Sequence, residues 1–447
     1  MNDDKIGLSR RKMLVGLGAV GVASAGAGLG TTAYFNDTET FANNELTAGS
    51  LDLFVHVDYS EDQGSYAQYS TEPGTYVDGN VVGIEGQGST GDPLSIRVSD
   101  LKPGDSGEGE FCFSIVDNPA YMWMCGELTA NAENGQSEPE MDDDDTGGDP
   151  GDGTGELADA MQVTVSYCTD DGDGGNDIGD EIVSGSLRDV MLALRAGVPL
   201  SSDGDANAPL ADRPTFDGVT EAFTDGEPNV DEQCVCFTWE VPTSVENEIQ
   251  TDSVMFDFEF YAVQARHNDG AHNPCVDETV VTAYDNDWKG QTLGNPTEGN
   301  VYTSVSFGQN QTVLSFAFAD DGDGVDFLDT ADYSSTNLPV AVDADDDGTH
   351  DWQLIWQPNA GFPDAPFGYQ PNNGGSYGAA EPLPAGFSAV KVGNTIVFGI
   401  PNSDINSTFR LLGYGSTGGE GPIAEVNVDP SLGPDFYNSA NAIEFSD

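Results

Sequence analysis

The sequence predicts an all-β protein: an N-terminal antiparallel β-sandwich or jelly roll with one packing helix and acidic inserted loops, followed by a second β-sandwich. Three observations predict it. Short runs along the chain alternate apolar and polar residues with period two, the pattern of half-buried strands. The 56 Gly and 24 Pro of its 447 residues punctuate those runs with turns. Only one stretch has a helical period, which argues against a bundle.

Taken in order, the chain starts with an export-type leader. Leu8 to Val15 read LSRRKMLV, and the Arg10-Arg11 pair is followed by a short apolar run of Gly, Ala, Val and Leu from Gly16 to Gly30. The pair fits a twin-arginine signal and also an ordinary positive n-region. A permanent span needs about 20 strongly apolar residues, whereas this run is glycine-diluted and soon meets Thr31 and Thr32. Removal of the leader is therefore expected, with the membrane a partner only during export.

From Leu51 to about Asn273 come strand-like runs such as Leu51–Val57, Gly109–Val116 and Met161–Tyr167, with turns such as Lys102-Pro-Gly-Asp105 between them. Gly185 to Leu200 carries the helical period: Leu187, Val190, Met191 and Leu194 share a face, and Gly197-Val198-Pro199 ends it. Ser137–Glu156, with Asp142–Asp145, and Ser201–Asp231 break the rhythm and are expected to be solvated acidic loops. After Cys275 there is no further cysteine, and a new strand series includes Val301–Phe307, Thr312–Ala319, Asp351–Trp356, Thr395–Ile400 and Phe409–Tyr414. The expected division is a signal over 1–33, a first sandwich over 34–278 and a second over 279–447.

Charge narrows the setting. Against 13 basic side chains stand 78 acidic ones, a formal net charge of −65, which excludes nucleic acid as a partner. At roughly 1 M salt the Debye length falls to about 3 Å and distant repulsion nearly vanishes, so the composition suits a halophile's chain. High net charge also marks disordered chains, but 37% hydrophobic and 9% aromatic residues, spread along the length, favour folding.

Several segments resemble a known family. Ala33-Tyr-Phe-Asn-Asp-Thr-Glu-Thr40 and Asn44–Leu53 look like the start of the TasA/camelysin family, whose members are processed by a SipW-type signal peptidase. The resemblance continues through Leu101–Gly107, Asp117–Trp123, Asn247–Ser253 and Phe256–Asn268, covering about half the chain in matched order. It implies cleavage close to Ala33, leaving Tyr34 near the mature N-terminus, and a freed N-terminal segment that completes a neighbour's sheet, with Tyr34, Phe35 and Phe41 as contacts. The long acidic insertions depart from the smaller bacterial relatives. The second half is similar, more loosely, to DOMON-type or carbohydrate-binding-module-type sandwiches through Val392–Pro401.

The sharpest chemical motif is Asp343-Ala-Asp345-Asp-Asp347-Gly-Thr349-His-Asp351, which puts oxygen ligands at loop positions one, three, five, seven and nine, the Thr349 ligand being its carbonyl. Ca²⁺ takes six to eight oxygens in such loops. Leu354 stands at position twelve instead of Glu, and Trp352–Trp356 continues as a strand, so a structural clamp on a hairpin is expected rather than an EF-hand. Asp-rich turns also arise from composition alone. Asp321, Asp323 and Asp326 form a shorter candidate, and Asp171–Asp177 a third.

Cys112, Cys125, Cys168, Cys234, Cys236 and Cys275 permit three disulfides in any of fifteen pairings, with Cys234 and Cys236 on one face of a strand. Sequons at Asn36, Asn310 and Asn406 are open to glycosylation in an exported chain. No catalytic residues are expected. The four histidines, His56, His267, His272 and His350, form no His-Glu-x-x-His run, although camelysin relatives are classed as metallopeptidases, and no nucleophile-elbow motif occurs.

The first expectation is a secreted or cell-surface structural, matrix or adhesive protein, possessing self-association or other surface proteins as partners. Sharpened by the resemblance, it becomes a fibre subunit assembling by β-strand addition. A glycan-binding module, through Trp352, Trp356, Phe362, Phe367 and Tyr369, stands second, and a secreted hydrolase last.

Overall fold

The protein is described by a computed structural model. It describes residues 51–447 except 63–65, 71–93, 99–100, 136, 138, 141–150, 153–154, 171–175, 209, 211–212, 222, 225–226, 229–232, 285–298, 320–337, 350, 358–365, 373–380, 419–420 and 427–442.

The first half runs β1 (Asp52–Asp62), β2 (Tyr66–Ser70), β3 (Leu94–Val98), β4 (Ser106–Val116), β5 (Ala120–Glu133), β6 (Gly151–Asp152), α1 (Leu157–Ala160), β7 (Gln162–Asp170) and β8 (Asn176–Ser186). It continues with α2 (Leu187–Arg195), β9 (Val198–Leu200), β10 (Gly218–Val219), β11 (Phe223–Thr224), β12 (Glu227–Pro228), β13 (Cys234–Glu240) and β14 (Ser253–Gln264). One sheet has the order β2-β1-β4-β13-β7-β8, with β10 beside β4; its partner sheet has the order β3-β14-β5-β6, with β9 beside β5.

Alternation builds the core between these sheets. In β14 every second residue, Val254, Phe256 and Phe258, is buried. Their rings meet those of the facing sheet, with Phe258 5.5 Å from Phe111 and 4.9 Å from Phe237 between centroids. Gly107 is opposite Trp239, and a Cβ there would lie 2.4 Å from the indole nitrogen, so glycine makes room for the ring.

The second half runs β15 (Glu278–Tyr284), β16 (Gly299–Phe307), β17 (Gln311–Ala319), β18 (Leu338–Asp343), β19 (Trp352–Trp356), β20 (Phe367–Pro371), β21 (Ser388–Val392), β22 (Thr395–Pro401), β23 (Thr408–Gly418), β24 (Gly421–Val426) and β25 (Ile443–Ser446). Its sheets have the orders β15-β16-β17-β22-β21 and β20-β19-β18-β23-β24, with β25 on β23. Leu314, Phe316 and Phe398 of one sheet pack on Leu338, Val340, Trp352, Trp356 and Phe409 of the other.

Helix α2 forms where the period predicts it. Ser186 caps it by accepting from the Asp189 N–H, and Leu187, Val190, Met191 and Leu194 enter the first core. It ends at Arg195, earlier than the periodic stretch, because Val198–Leu200 is taken as strand β9 on β5. Its opposite face is covered as well: Leu192 and Ala196 pack on Val313 and Val397 of the second sandwich. This explains why β22 is buried on both faces, and the two sandwiches lie within one compact unit.

The two stretches read as solvated acidic loops are only partly so. Within 201–231, Leu210, Arg213 and Phe216 are buried, Phe216 bridges Ala120, and β10 pairs with β4. Within 137–156, β6 pairs with the end of β5, Glu140 is buried, and helix α1 follows immediately. Isolated apolar residues anchor the 201–231 stretch, and backbone pairing with β5 anchors the other, neither producing a periodic signal.

Candidate functional site

All six cysteines pair: Cys112 with Cys234, Cys168 with Cys236, and Cys125 with Cys275. Cys234 faces both Cys112 and Cys168 across β13's neighbours, and the four sulfurs form one buried patch on a single face, as alternation requires. The third bridge fastens β5 to the chain just before β15. Three disulfides fit an oxidising, extracellular-type environment. Among the described residues no helix is long and apolar enough to cross a membrane.

The Asp343–Asp351 loop joins β18 to β19 as a hairpin connection. Oxygens of Asp343, Asp345 and Asp347 lie within 4.8 Å of one another, with Asp343 buried and the other two exposed. The Asp343 oxygens accept from the N–H groups of Asp347 (3.1 Å) and Gly348 (2.8 Å), and Asp347 accepts from Thr349 N–H (2.8 Å). Asp346 (φ 61°) and Gly348 (φ 87°) take the left-handed backbone that curls the loop around these carboxylates. Burial, followed by the charges of Asp347 and Asp351, raises the Asp343 pKa, against the two N–H donors. Of the five predicted ligands the fold gathers three carboxylates. Asp351 instead accepts from Ala344 N–H (2.8 Å), and Thr349 contributes an N–H to the loop. Asp346, which the ligand spacing passes over, pairs with Arg410 (2.7 Å), and Arg410 also holds Glu444 of β25 (2.7 Å).

The other predicted positions divide. Asn310 and Asn406 sit exposed on turns, as glycan acceptors require. His267 and His272 are exposed around a turn and join no cluster of metal-ligating groups among the described residues. Trp352 and Trp356 are buried; Trp352 packs on Tyr369 and Phe387, and Phe367 packs on Phe398. Arg10, Arg11, Ala33, Tyr34, Phe35, Asn36, Phe41, Asp321, Asp323, Asp326 and Phe362 lie outside the described residues, as does most of Asp171–Asp177.

A sheet edge supplies the remaining feature. β5 pairs with the whole of β14, Ser253 to Gln264, but on the other side β3 pairs only with Val254–Phe258. Among the described residues no strand pairs with the outer edge of Glu259–Gln264, a stretch of about 20 Å at 3.3 Å per residue. Along it Phe260 and Ala262 continue the core-facing register yet are only partly buried, and Tyr261 is exposed. The Phe260 ring packs 5.0 Å from Phe113 and 5.3 Å from Phe111.

Compared with known proteins, the chain matches no family model and no curated protein.

Proposed function

We propose that this chain is an exported structural subunit of a halophile's cell surface or matrix, and that copies join by β-strand addition. Supporting the reading is the Glu259–Gln264 edge of β14: among the described residues no strand pairs with its outer side, the chain just before β3 lying outside them, and Phe260 and Ala262 beside it are part-covered. An extended donor gains main-chain hydrogen bonds on such an edge, and alternate side chains fill its apolar positions. The donor we assign is the mature N-terminal segment of a second copy, with Tyr34, Phe35 and Phe41 as its apolar contacts, in line with the TasA/camelysin resemblance of Ala33–Leu53.

The other features support the same setting. Three disulfides staple the first sandwich, and the net charge of −65 is tolerable for close-packed copies where salt screens it. Electron microscopy of the mature protein in concentrated salt is expected to show filaments. Monomers under all salt and calcium conditions would defeat the reading.

A further inference from the structure

Three acids far apart in the sequence meet at one end of the first sandwich: Glu133 at the end of β5, Glu156 just before α1 and Asp252 just before β14. One oxygen from each lies within 4.8 Å of the others. Glu133 is only 2% exposed. Its Oε1 accepts from Gly135 N–H (2.9 Å) and the Thr251 hydroxyl (3.0 Å), while its Oε2 is buried and accepts no hydrogen bond. Asp252 repeats the pattern: Oδ2 accepts from Leu157 N–H (2.8 Å), the buried Oδ1 meets no N–H donor, and the Asp252 and Glu133 carboxyls lie within hydrogen-bonding reach of each other. Among the described residues no basic side chain pairs with either acid. Two buried carboxyls this close and without a counter-charge are strongly disfavoured as a pair of anions, so a proton or a cation must lie between them.

A fourth oxygen adjoins them. Asn131 donates its amide N–H to Gly155 O (2.7 Å), and a Cβ on Gly155 would stand 3.1 Å from Asn131 Oδ1 and 3.0 Å from Asp252 Oδ2. Both oxygens therefore crowd the space that a side chain at 155 would fill.

We infer that Glu133, Glu156 and Asp252, with the Asn131 amide oxygen beside them, form a binding site for a hard divalent cation, Ca²⁺, separate from the Asp343 loop. Ligand distances of about 2.3–2.6 Å put oxygens on opposite sides of Ca²⁺ about 5 Å apart, which the 4.8 Å grouping satisfies. Unlike Asp343, both of whose oxygens accept from loop N–H groups, this site keeps two buried oxygens that face no N–H or hydroxyl donor. The bound ion would pin the end of β5 to the start of β14 and to the turn entering α1.

The test titrates Ca²⁺, and separately Mg²⁺, into chelator-treated full-length protein at fixed high NaCl, by calorimetry and thermal melting. The parent is Asp345→Ala, which silences the other loop, and it is compared with the same chain also carrying Glu133→Gln and Asp252→Asn. We expect the added pair to remove one Ca²⁺ per chain and to invert the order of melting temperatures, higher than the parent in chelator and lower in saturating Ca²⁺. Mg²⁺ should bind the parent at least tenfold more weakly, because it demands tighter octahedral geometry. Equal Ca²⁺ stoichiometry and equal Ca²⁺-induced melting shifts in the two chains would overturn the site and leave the three acids sharing protons. Equal binding of Mg²⁺ would overturn the assignment to Ca²⁺. If the double substitution prevents folding, Asp252→Asn alone carries the same comparison.

Discussion

His56 gives the most quantitative prediction. It lies on β1 opposite Cys112 of β4, is 7% exposed, and its Nε2 is 3.0 Å from the Ser114 hydroxyl. Burial in this sulfur-lined patch lowers its pKa from 6.5 to about 4. A depressed histidine pKa means that protons bind the unfolded chain more tightly. The stability at stake is therefore intact above pH 6.5 and is lost as the pH falls towards 4. The fall from 6.5 to about 4 is worth roughly 3 kcal/mol in full, most of it lost by pH 4.5. The many carboxylates titrate nearby, so the measurement is a difference: denaturant unfolding of wild type and His56→Gln in high salt from pH 7.5 to 4.5. The wild-type curve should fall by roughly 2–3 kcal/mol more than the variant's. Parallel curves, or a folded-state His56 titration near 6.5 by NMR, would refute the burial argument.

Three further predictions rest on single features. Replacing Cys125 and Cys275 with serine opens a bridge spanning 150 residues, and the chain-entropy model sets the loss at up to about 5 kcal/mol, read as a lower denaturant midpoint. Arg213, 3% exposed, lies 5.1 Å and 4.8 Å from the centroids of the Tyr121 and Trp123 rings and donates to the Leu210 and Gly270 carbonyls. Arg213→Ala should cost about 1–3 kcal/mol by equilibrium unfolding, because it removes the stacked cation and strands two buried acceptors, offset in part by relief of a buried guanidinium whose Nε and Nη2 find no acceptor among the described residues. Chelation in high salt should lower the unfolding temperature, and Asp345→Ala should shrink that response by the Asp343 loop's share; an unchanged melt on chelation would remove calcium from that loop.

Much of the fold was legible because its signals are local. Leu51–Val57 and Met161–Tyr167 alternate as strands must, and Leu187, Val190, Met191 and Leu194 mark α2. The second buried face of α2 was hidden, since Leu192 and Ala196 meet Val313 and Val397, which are remote in sequence. Cys234 and Cys236 announced a shared face but not their partners, because pairing depends on strand order. The same contrast separates the two acidic sites. Asp343, Asp345 and Asp347 are contiguous and show a spacing, whereas Glu133, Glu156 and Asp252 are three among 78 acids until the fold assembles them.

The central proposal, assembly by strand addition, is tested most directly by removing and restoring the donor. A chain starting at Gly49 retains the compact unit that carries β14. In concentrated salt it should remain monomeric where the mature chain forms filaments, and it should bind a synthetic Tyr34–Ala48 peptide, with binding weakened by Phe260→Glu. Filaments formed by the shortened chain, or no peptide binding at any salt concentration, would contradict the account.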